Sequence, residues 1–434
     1  MKSTALLLSL CAAAQALAPH QPRRGRPRVL HLDLHRNPVP DPVARDRLRR
    51  SGTVDETLDN MGQQTLYFLN VSLGTPPQDL HMHLDTGSSD LWVNTPRSAL
   101  CSLRSAPCSF SGTYTANDSS TYEYLGSYFN ISYFDGSGAA GDYATDTLRV
   151  GGNDLAGFQF GIGYTSTSAQ SVLGIGYAAN EVQVARSGLG EYPNLPAKMA
   201  ADGVIASNAY SLWLNDADAS TGSILFGGVD AARYSGDLVS VPVLQVGGAH
   251  RDFFVTMTGL DMGAQTLSKQ GTALAVLLDS GTSLTYLPND LTKSVYDAVG
   301  ASYQQDQGVA FVPCSLRDSG ANMTFRFSAP AAVAVPLRQM ILDLQNLTGR
   351  APTLDNGVPA CLFGISPAGA STSVLGDTFL RGAYVVYDLD SNAVSLAQTR
   401  FNVSASDVRE ISGAGAVPSA VTAKTPVAAA SGLP

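Results

Sequence analysis

The chain holds 434 residues, 44% of them hydrophobic and 15% charged, with a formal net charge of −9. That length and composition suit two globular domains rich in strands and turns, and exclude a disordered or coiled-coil protein. The acidic balance argues against nucleic-acid binding, which needs a basic face.

The first residues, MKSTALLLSLCAAAQALA, carry one lysine, an apolar run Ala5–Ala14 and small residues near Ala16 and Ala18. Residues 1–18 therefore read as a secretory signal peptide, too short to span a membrane. Residues 19–50 carry nine arginines against Asp33, Asp41 and Asp46, a net of +6. Removing this +6 and the +1 of Lys2 from −9 leaves −16 for residues 51–434. A basic leader ahead of an acidic body predicts a pro-segment lying on an acidic cleft as an intramolecular inhibitor, with Arg49-Arg50 as a dibasic cut site. A solvated basic tail is the plainer reading.

Thr65–Leu73 is rich in β-formers and ends at the turn cluster Gly74-Thr75-Pro76-Pro77. Leu80, Met82 and Leu84 then alternate with His81 and His83, a strand period that puts the two histidines on the outer face. With no third ligand in view, a solvated face is favoured there over a metal site. At the end of this strand stands HLDTGSSDLW, residues 83–92. Helices are few: one at Leu195–Ala201, and one at Leu291–Val299 capped by Asn289-Asp290 and stopped by Gly300.

Far downstream LLDSGTSLTY, residues 277–286, repeats the earlier phrase. Each copy is followed by the same short string, Val172-Leu173-Gly174 after Asp85 and Val374-Leu375-Gly376 after Asp279. The separations are 174 − 85 = 89 and 376 − 279 = 97 residues. Two copies are too few for a solenoid. Two duplicated lobes meeting at a cleft are expected instead, 51–236 and 237–400, with the boundary near Tyr234–Val243.

Cysteine usage agrees with secretion. Cys11 leaves with the signal, and Cys101, Cys108, Cys314 and Cys361 remain. Three pairings are possible, of which Cys101–Cys108 with Cys314–Cys361 keeps each bridge inside one half. Six sequons, at Asn70, Asn117, Asn130, Asn322, Asn346 and Asn402, are glycosylation candidates. From residue 401 the chain is rich in Ala and Ser and ends VAAASGLP, without the terminal apolar run of a lipid-anchor signal. A soluble secreted product with a flexible tail is expected. Retention at the cell wall through that tail stays open.

The repeated phrase supplies specific chemistry. Asp85 and Asp279 offer carboxylates, and Gly87 and Gly281 let backbone amides approach them. Thr86 and Ser280 can bond across to the opposite loop, while Ser88 and Thr282 can donate to the outer oxygen of their own aspartate. One such loop is common turn composition. Two, one per lobe, can set the carboxylates face to face. Two carboxyls that close share a proton, and a water between them meets a base and an acid at once.

These phrases resemble the active-site loops of pepsin-like aspartic proteases, and the resemblance covers residues 62–400. NAYSLWLNDADASTGSILFGGVDAARYSGDL (208–238) and VLGDTFLRGAYVVYDLDSNAVSLA (374–397) are similar to the fungal candidapepsin and yapsin branch. The resemblance implies an all-β fold of two β-lobes related by a pseudo-twofold axis, with a central cleft and a β-hairpin flap. It implies that Asp85 and Asp279 are catalytic and that the substrates are polypeptides. It also implies that Tyr133 in ISYFDGSG (131–138) is the flap tyrosine held by Trp92. Phe134 departs from the usual glycine. Asp135, beside Gly136, would hang over the residue before the scissile bond and favour Lys or Arg there, or would merely close the hairpin turn. No cofactor, metal, nucleic acid or transmembrane span is expected, and the enzyme is expected to be a monomer.

The alternative from another class is a non-catalytic binding scaffold of the same fold. Such scaffolds lose an aspartate or its hydroxyl partners, whereas all are present here. A Ser-His-Asp hydrolase is discarded, because after Arg50 only His81, His83 and His250 occur and no G-x-S-x-G appears.

Overall fold

The computed structural model describes residues 27–39, 64–133, 137–344 and 352–434. The expected signal peptide with Cys11, most of the leader with Arg49-Arg50, the expected flap residues Phe134, Asp135 and Gly136, and Asn346 lie outside the described residues.

The period-two pattern folds as expected. Strand Gln64–Leu73 pairs antiparallel with Gln78–Asp85, Val71 opposite Leu80 and Phe68 opposite His83. Leu69, Val71 and Leu73 thus share the core with Leu80, Met82 and Leu84. The histidine face is not wholly solvated, however. His83 is fully buried, 5.8 Å from the Phe68 ring, while His81 remains exposed and stacks on Phe110 at 5.3 Å. Phe68, from the neighbouring strand, supplies the cover that alternation within one strand does not reveal.

The strand Gln78–Asp85 next takes Val172–Gly174 as a parallel neighbour, Leu84 beside Leu173 and Asp85 beside Gly174. The second half repeats this arrangement. Leu274–Leu278 pairs parallel with Val374–Leu375, and Asp279 N donates to Leu375 O at 3.2 Å. The repeated apolar-apolar-Gly strings are therefore the strands that buttress the two aspartate loops. A side chain at Gly376 would put its Cβ 2.3 Å from the carbonyl oxygens of Thr282 and Leu284, so only glycine admits that approach.

Among the described residues one hydrogen-bonded sheet of fourteen strands runs through both halves. Its middle reads Ala393–Thr399, Ala383–Asp388, Ala209–Trp213, Thr221–Phe226, Leu30–Val39, Gln64–Leu73. Tyr234–Pro242, where the sequence suggests the lobe boundary, pairs with Ala393–Thr399 on one side and Ala420–Thr422 on the other. The helix Leu195–Ala201 has the expected bounds. The later helix spans Asn289–Val299, so Pro288 rather than Asn289-Asp290 occupies the cap position, and Gly300 closes it at φ 65°. The helix Val182–Ser187 is too short to leave a periodic signature and was not expected from the sequence.

Two segments depart from the sequence reading. The described part of the leader is neither a solvated tail nor a cleft cover. Residues 30–35 pair antiparallel with Thr221–Phe226, and residues 35–39 with Gln64–Phe68. Leu34 is fully buried, with Leu30 and Leu32 packed beside the same core. The alternating leucines outweigh the basic composition, because a strand slot open on both edges offers hydrogen bonds as well as burial. Residues 401–434 are likewise docked. Val408–Glu410 pairs with Gly228–Asp230, Ala420–Thr422 runs parallel to residues 238–240, and Ala430 N donates to Ala273 O at 2.8 Å. Ile411 and Ala423 are buried. Small side chains let this strap lie close against existing strand edges, which composition alone presents as flexibility.

Both bridges stay within one half, Cys101–Cys108 and Cys314–Cys361, with sequence separations of 7 and 47. By the chain-entropy estimate they constrain the unfolded chain by about 2 and about 4 kcal/mol. The asparagines of the five described sequons are all exposed, Asn70 despite its place in a strand. Among the described residues no helix is long and apolar enough to cross a membrane.

Candidate active site

The two aspartate loops lock into each other reciprocally. Thr86 Oγ1 donates to Leu278 O at 3.0 Å and accepts from Ser280 N at 2.9 Å. Ser280 Oγ donates to Leu84 O at 3.0 Å and accepts from Thr86 N at 3.2 Å. Each hydroxyl thus bridges one amide and one carbonyl of the opposite loop, at the ends of the strands carrying Asp85 and Asp279. All four groups are buried, so breaking one bond would leave an unpaired polar group away from water.

Each carboxyl is oriented in the same way. Asp85 Oδ1 accepts from Gly87 N at 2.9 Å, and Oδ2 from Ser88 Oγ at 2.6 Å. Asp279 Oδ1 accepts from Gly281 N at 2.8 Å, and Oδ2 from Thr282 Oγ1 at 2.5 Å. The loops meet at Gly87, whose ideal Cβ would fall 2.6 Å from Asp279 Oδ1. One peptide therefore holds the carboxyl of Asp85 by its amide while abutting the carboxyl of Asp279. Asp85 is fully buried and Asp279 nearly so.

A cleft of about 590 Å³ opens over this pair, with Gly87, Ser88, Asp279 and Thr282 in its lining. Ile131, Ser132 and Tyr133 line it from the hairpin, which Tyr133 N closes by donating to Ser137 O at 2.9 Å. Trp92 Nε1 donates to Tyr133 Oη at 2.7 Å, tying the hairpin to a fully buried ring. Arg186 reinforces the hairpin base through Asn130 O, at 2.7 Å, and Ser132 Oγ. Pro434, at the end of the docked strap, also lines the cleft.

Several cleft groups were not found from the sequence. Asp90 lines the cleft and accepts from Tyr143 Oη at 2.5 Å, Tyr192 Oη at 2.8 Å and Val182 N at 2.9 Å. Asp252 and Asn180 join across the halves, Asn180 Nδ2 donating to Asp252 Oδ1 at 2.9 Å. Asp90 lies inside the first quoted phrase, so position could have flagged it. Asp252 and Asn180 are 72 residues apart, and no sequence pattern joins them.

Burial sets the charge state of the wall behind the cleft. It raises the Asp90 carboxyl above its ordinary value, against the lowering effect of its three hydrogen bonds. It pushes the Glu181 carboxyl up to about 9, helped by the negative charges of Asp90 and Glu191. Glu181 Oε1 is buried without a hydrogen-bond partner among the described residues, which also favours the protonated form. The folded chain then keeps a proton on Glu181 over pH 4.5 to 9, where the unfolded chain has lost it. Stability from this group is full below pH 4.5 and falls as pH rises toward 9, by at most about 1.4 kcal/mol per unit. The melting temperature is expected to fall between pH 5 and pH 8, and Glu181→Gln to flatten that fall. Calorimetry giving parallel slopes for the two proteins would rule the assignment out.

The eukaryotic aspartyl protease family model matches residues 66–399. The chain is 51% identical over 437 residues to the probable aspartic-type endopeptidase opsB of Aspergillus oryzae, covering 98% of this chain and 88% of that protein. It is 36% identical over 389 residues to secreted aspartic protease 1 of Candida albicans, covering 88% of this chain and 92% of that one. The aspartic proteinase from Irpex lacteus superposes with a TM-score of 0.66 at 18% identity, over 87% of this chain and 100% of that one, a likeness of fold.

Proposed function

The chain belongs to the eukaryotic aspartyl protease family of endopeptidases, and on that premise we propose that it is a secreted enzyme hydrolysing polypeptides at acid pH through a water activated between Asp85 and Asp279. The observation that supports this reading is the reciprocal lock of Thr86 and Ser280, with two identically held carboxyls on either side of Gly87, which lines the cleft.

In this reading one aspartate is ionised and takes a proton from the water as its oxygen attacks the scissile carbonyl carbon. The other, protonated, donates to the carbonyl oxygen. The tetrahedral intermediate collapses when a proton passes to the amide nitrogen and the C–N bond breaks. No covalent enzyme intermediate forms. Sharing of one proton by two close carboxyls is the known behaviour of the aspartic-protease dyad. The pair, rather than either residue, has the two apparent pKa values. Thr86, Gly87, Ser88, Ser280, Gly281 and Thr282 hold the pair, and Tyr133, steadied by Trp92, closes over the substrate.

Residues 1–18 act as the signal peptide, 51–236 and 237–400 as the two lobes, and the product acts as a monomer outside the cell. Residues 19–50 act as a pro-segment released at Arg49-Arg50. The described strand of this segment lies in the sheet rather than over the cleft, which supports a structural part: once Leu30–Val39 leaves, the edges of Thr221–Phe226 and Gln64–Leu73 need a replacement strand. A preference for a basic residue before the scissile bond, carried by Asp135, completes the reading.

Profiling a peptide library at several pH values, with and without a statine-type transition-state analogue, tests it. Cleavage is expected at acid pH, lost as pH passes the upper apparent pKa of the pair, and blocked by the analogue. Cleavage that persists at alkaline pH and ignores the analogue would overturn the reading.

A further inference from the structure

The cleft carries a carboxylate that the proposed mechanism does not use. Strand Phe254–Met257 runs antiparallel to Leu274–Leu278, with Phe254 opposite Leu277. Leu278 N donates to Phe253 O at 3.2 Å, which continues the pairing by one step. Asp252 then lies at a bend, where Phe254 N donates to Asp252 O at 2.9 Å, and Asp252 and Asp279 both line the same cleft. Asp252 is only partly buried, and the Asn180 amide fixes its Oδ1 from the other half of the molecule. The same cleft lining holds Phe254, Leu277 and Val374, members of one apolar cluster, together with the polar Ser371 and Thr372. An apolar wall ending in an oriented carboxylate matches the shape of lysine and arginine side chains, whose aliphatic stems pack while the charged head pairs.

We propose that Asp252 is a specificity-determining residue that binds a lysine or arginine side chain of the substrate. This site lies on the wall formed by the second half of the chain, separate from any basic preference the flap supplies through Asp135. It rests on the protease reading above.

The charged neighbourhood leaves room for such a cation. Arg251 is the adjacent positive group and tends to lower the Asp252 carboxyl, but burial outweighs it and pushes the carboxyl up to about 6. His250 precedes Arg251 and packs on Tyr177, with ring centroids 6.1 Å apart. Asp279 and Asp90 are the other carboxyls of the cleft lining, and Arg186 is engaged at the hairpin base. Above about pH 6 Asp252 carries its charge and attracts a cation. Below it the neutral carboxyl offers only a weaker hydrogen bond. The preference for a cation at this subsite therefore strengthens as pH rises from 4.5 to 6.5, while overall turnover declines with deprotonation of the dyad.

The test is kcat/KM for paired peptides carrying lysine or norleucine at each position on either side of the scissile bond, measured at pH 4.5 and 6.5. In the unaltered enzyme one position is expected to favour lysine, and to do so more strongly at pH 6.5. Asp252→Asn is expected to lower that lysine-to-norleucine ratio at least about tenfold at pH 6.5 and to remove its pH dependence; Asp252→Glu should restore part of it. Asn180→Ala separates selectivity from mere joining of the halves, since it breaks the same hydrogen bond and keeps the charge. A ratio that does not move in Asp252→Asn, that moves equally in Asn180→Ala, or that follows Asp135→Ser instead overturns the proposal. Failure of the unaltered enzyme to cleave any peptide overturns the protease reading first and this proposal with it.

Discussion

Asp279→Asn is expected to lower kcat/KM for a peptide substrate by at least about 10³-fold while leaving the fold in place. General acid–base catalysis by one positioned group is worth roughly 10²–10⁴-fold, and here the change also ends proton sharing, because an amide neither accepts the proton of water nor passes one on. The fold should survive for a local reason. Asn has the same shape, its carbonyl oxygen can still accept from Gly281 N, and the Thr282 hydroxyl can turn to accept from the new NH₂. Circular dichroism and the melting temperature should therefore stay close to those of the parent. A folded Asp279→Asn enzyme with activity within tenfold of the parent would remove Asp279 from the chemistry.

The second large effect is expected at a residue with no functional group. Gly87→Ala places a methyl 2.6 Å from Asp279 Oδ1 and 2.8 Å from its Cγ, closer than such atoms approach. The carboxyl must move, yet Gly281 N and Thr282 Oγ1 hold it in its present orientation. Misplacement of a reacting group by about 1 Å costs on the order of 10²-fold in rate, and overpacking of this kind costs about 1–3 kcal/mol in stability. The loss should fall on kcat more than on KM, since the other residues lining the cleft are untouched. Gly190→Ala is the control: a Cβ there meets no neighbouring atom within 4 Å, and kcat/KM is expected to stay within about twofold. Equal behaviour of the two variants would mean that the meeting of the loops at Gly87 does not matter for catalysis.

Those two predictions share a feature that was legible in the sequence. The phrase around Asp85 and its copy around Asp279 specify their own local hydrogen bonds, because glycine, hydroxyl and carboxylate occur at fixed short spacings. The strings ending at Gly174 and Gly376 were equally readable, since parallel neighbours of a buried strand are short and apolar. The pairing of the flap tyrosine with Trp92 came from family resemblance, because 41 residues separate them. What stayed hidden was set by the docking of distant segments. Asp252 meets Asn180 only once the halves close. His83 is buried by Phe68 of the neighbouring strand, not by its own. Leu30–Val39 carries a strand's alternation, but the arginine-rich leader around it points to a different reading, and only the available slot between two strands decides. The tail shows the converse, since Ala-rich composition permits flexibility and equally permits close packing against a free edge.

On the proposed reading pH acts at two levels: the aspartate pair would need one proton for chemistry, whereas Glu181 and Asp90 need protons for stability, since burial disfavours their ionised forms. Activity and stability should both decline as pH rises, but for different groups, so that Glu181→Gln shifts the second without the first.

The most direct test of the account is a neutron diffraction structure at acid pH, which locates hydrogen as well as carboxyl oxygens. The account predicts that the carboxyls of Asp85 and Asp279 face one another, contact one common water and carry a single deuteron between them. Carboxyls about ten ångströms apart, or turned toward different surfaces, would contradict it.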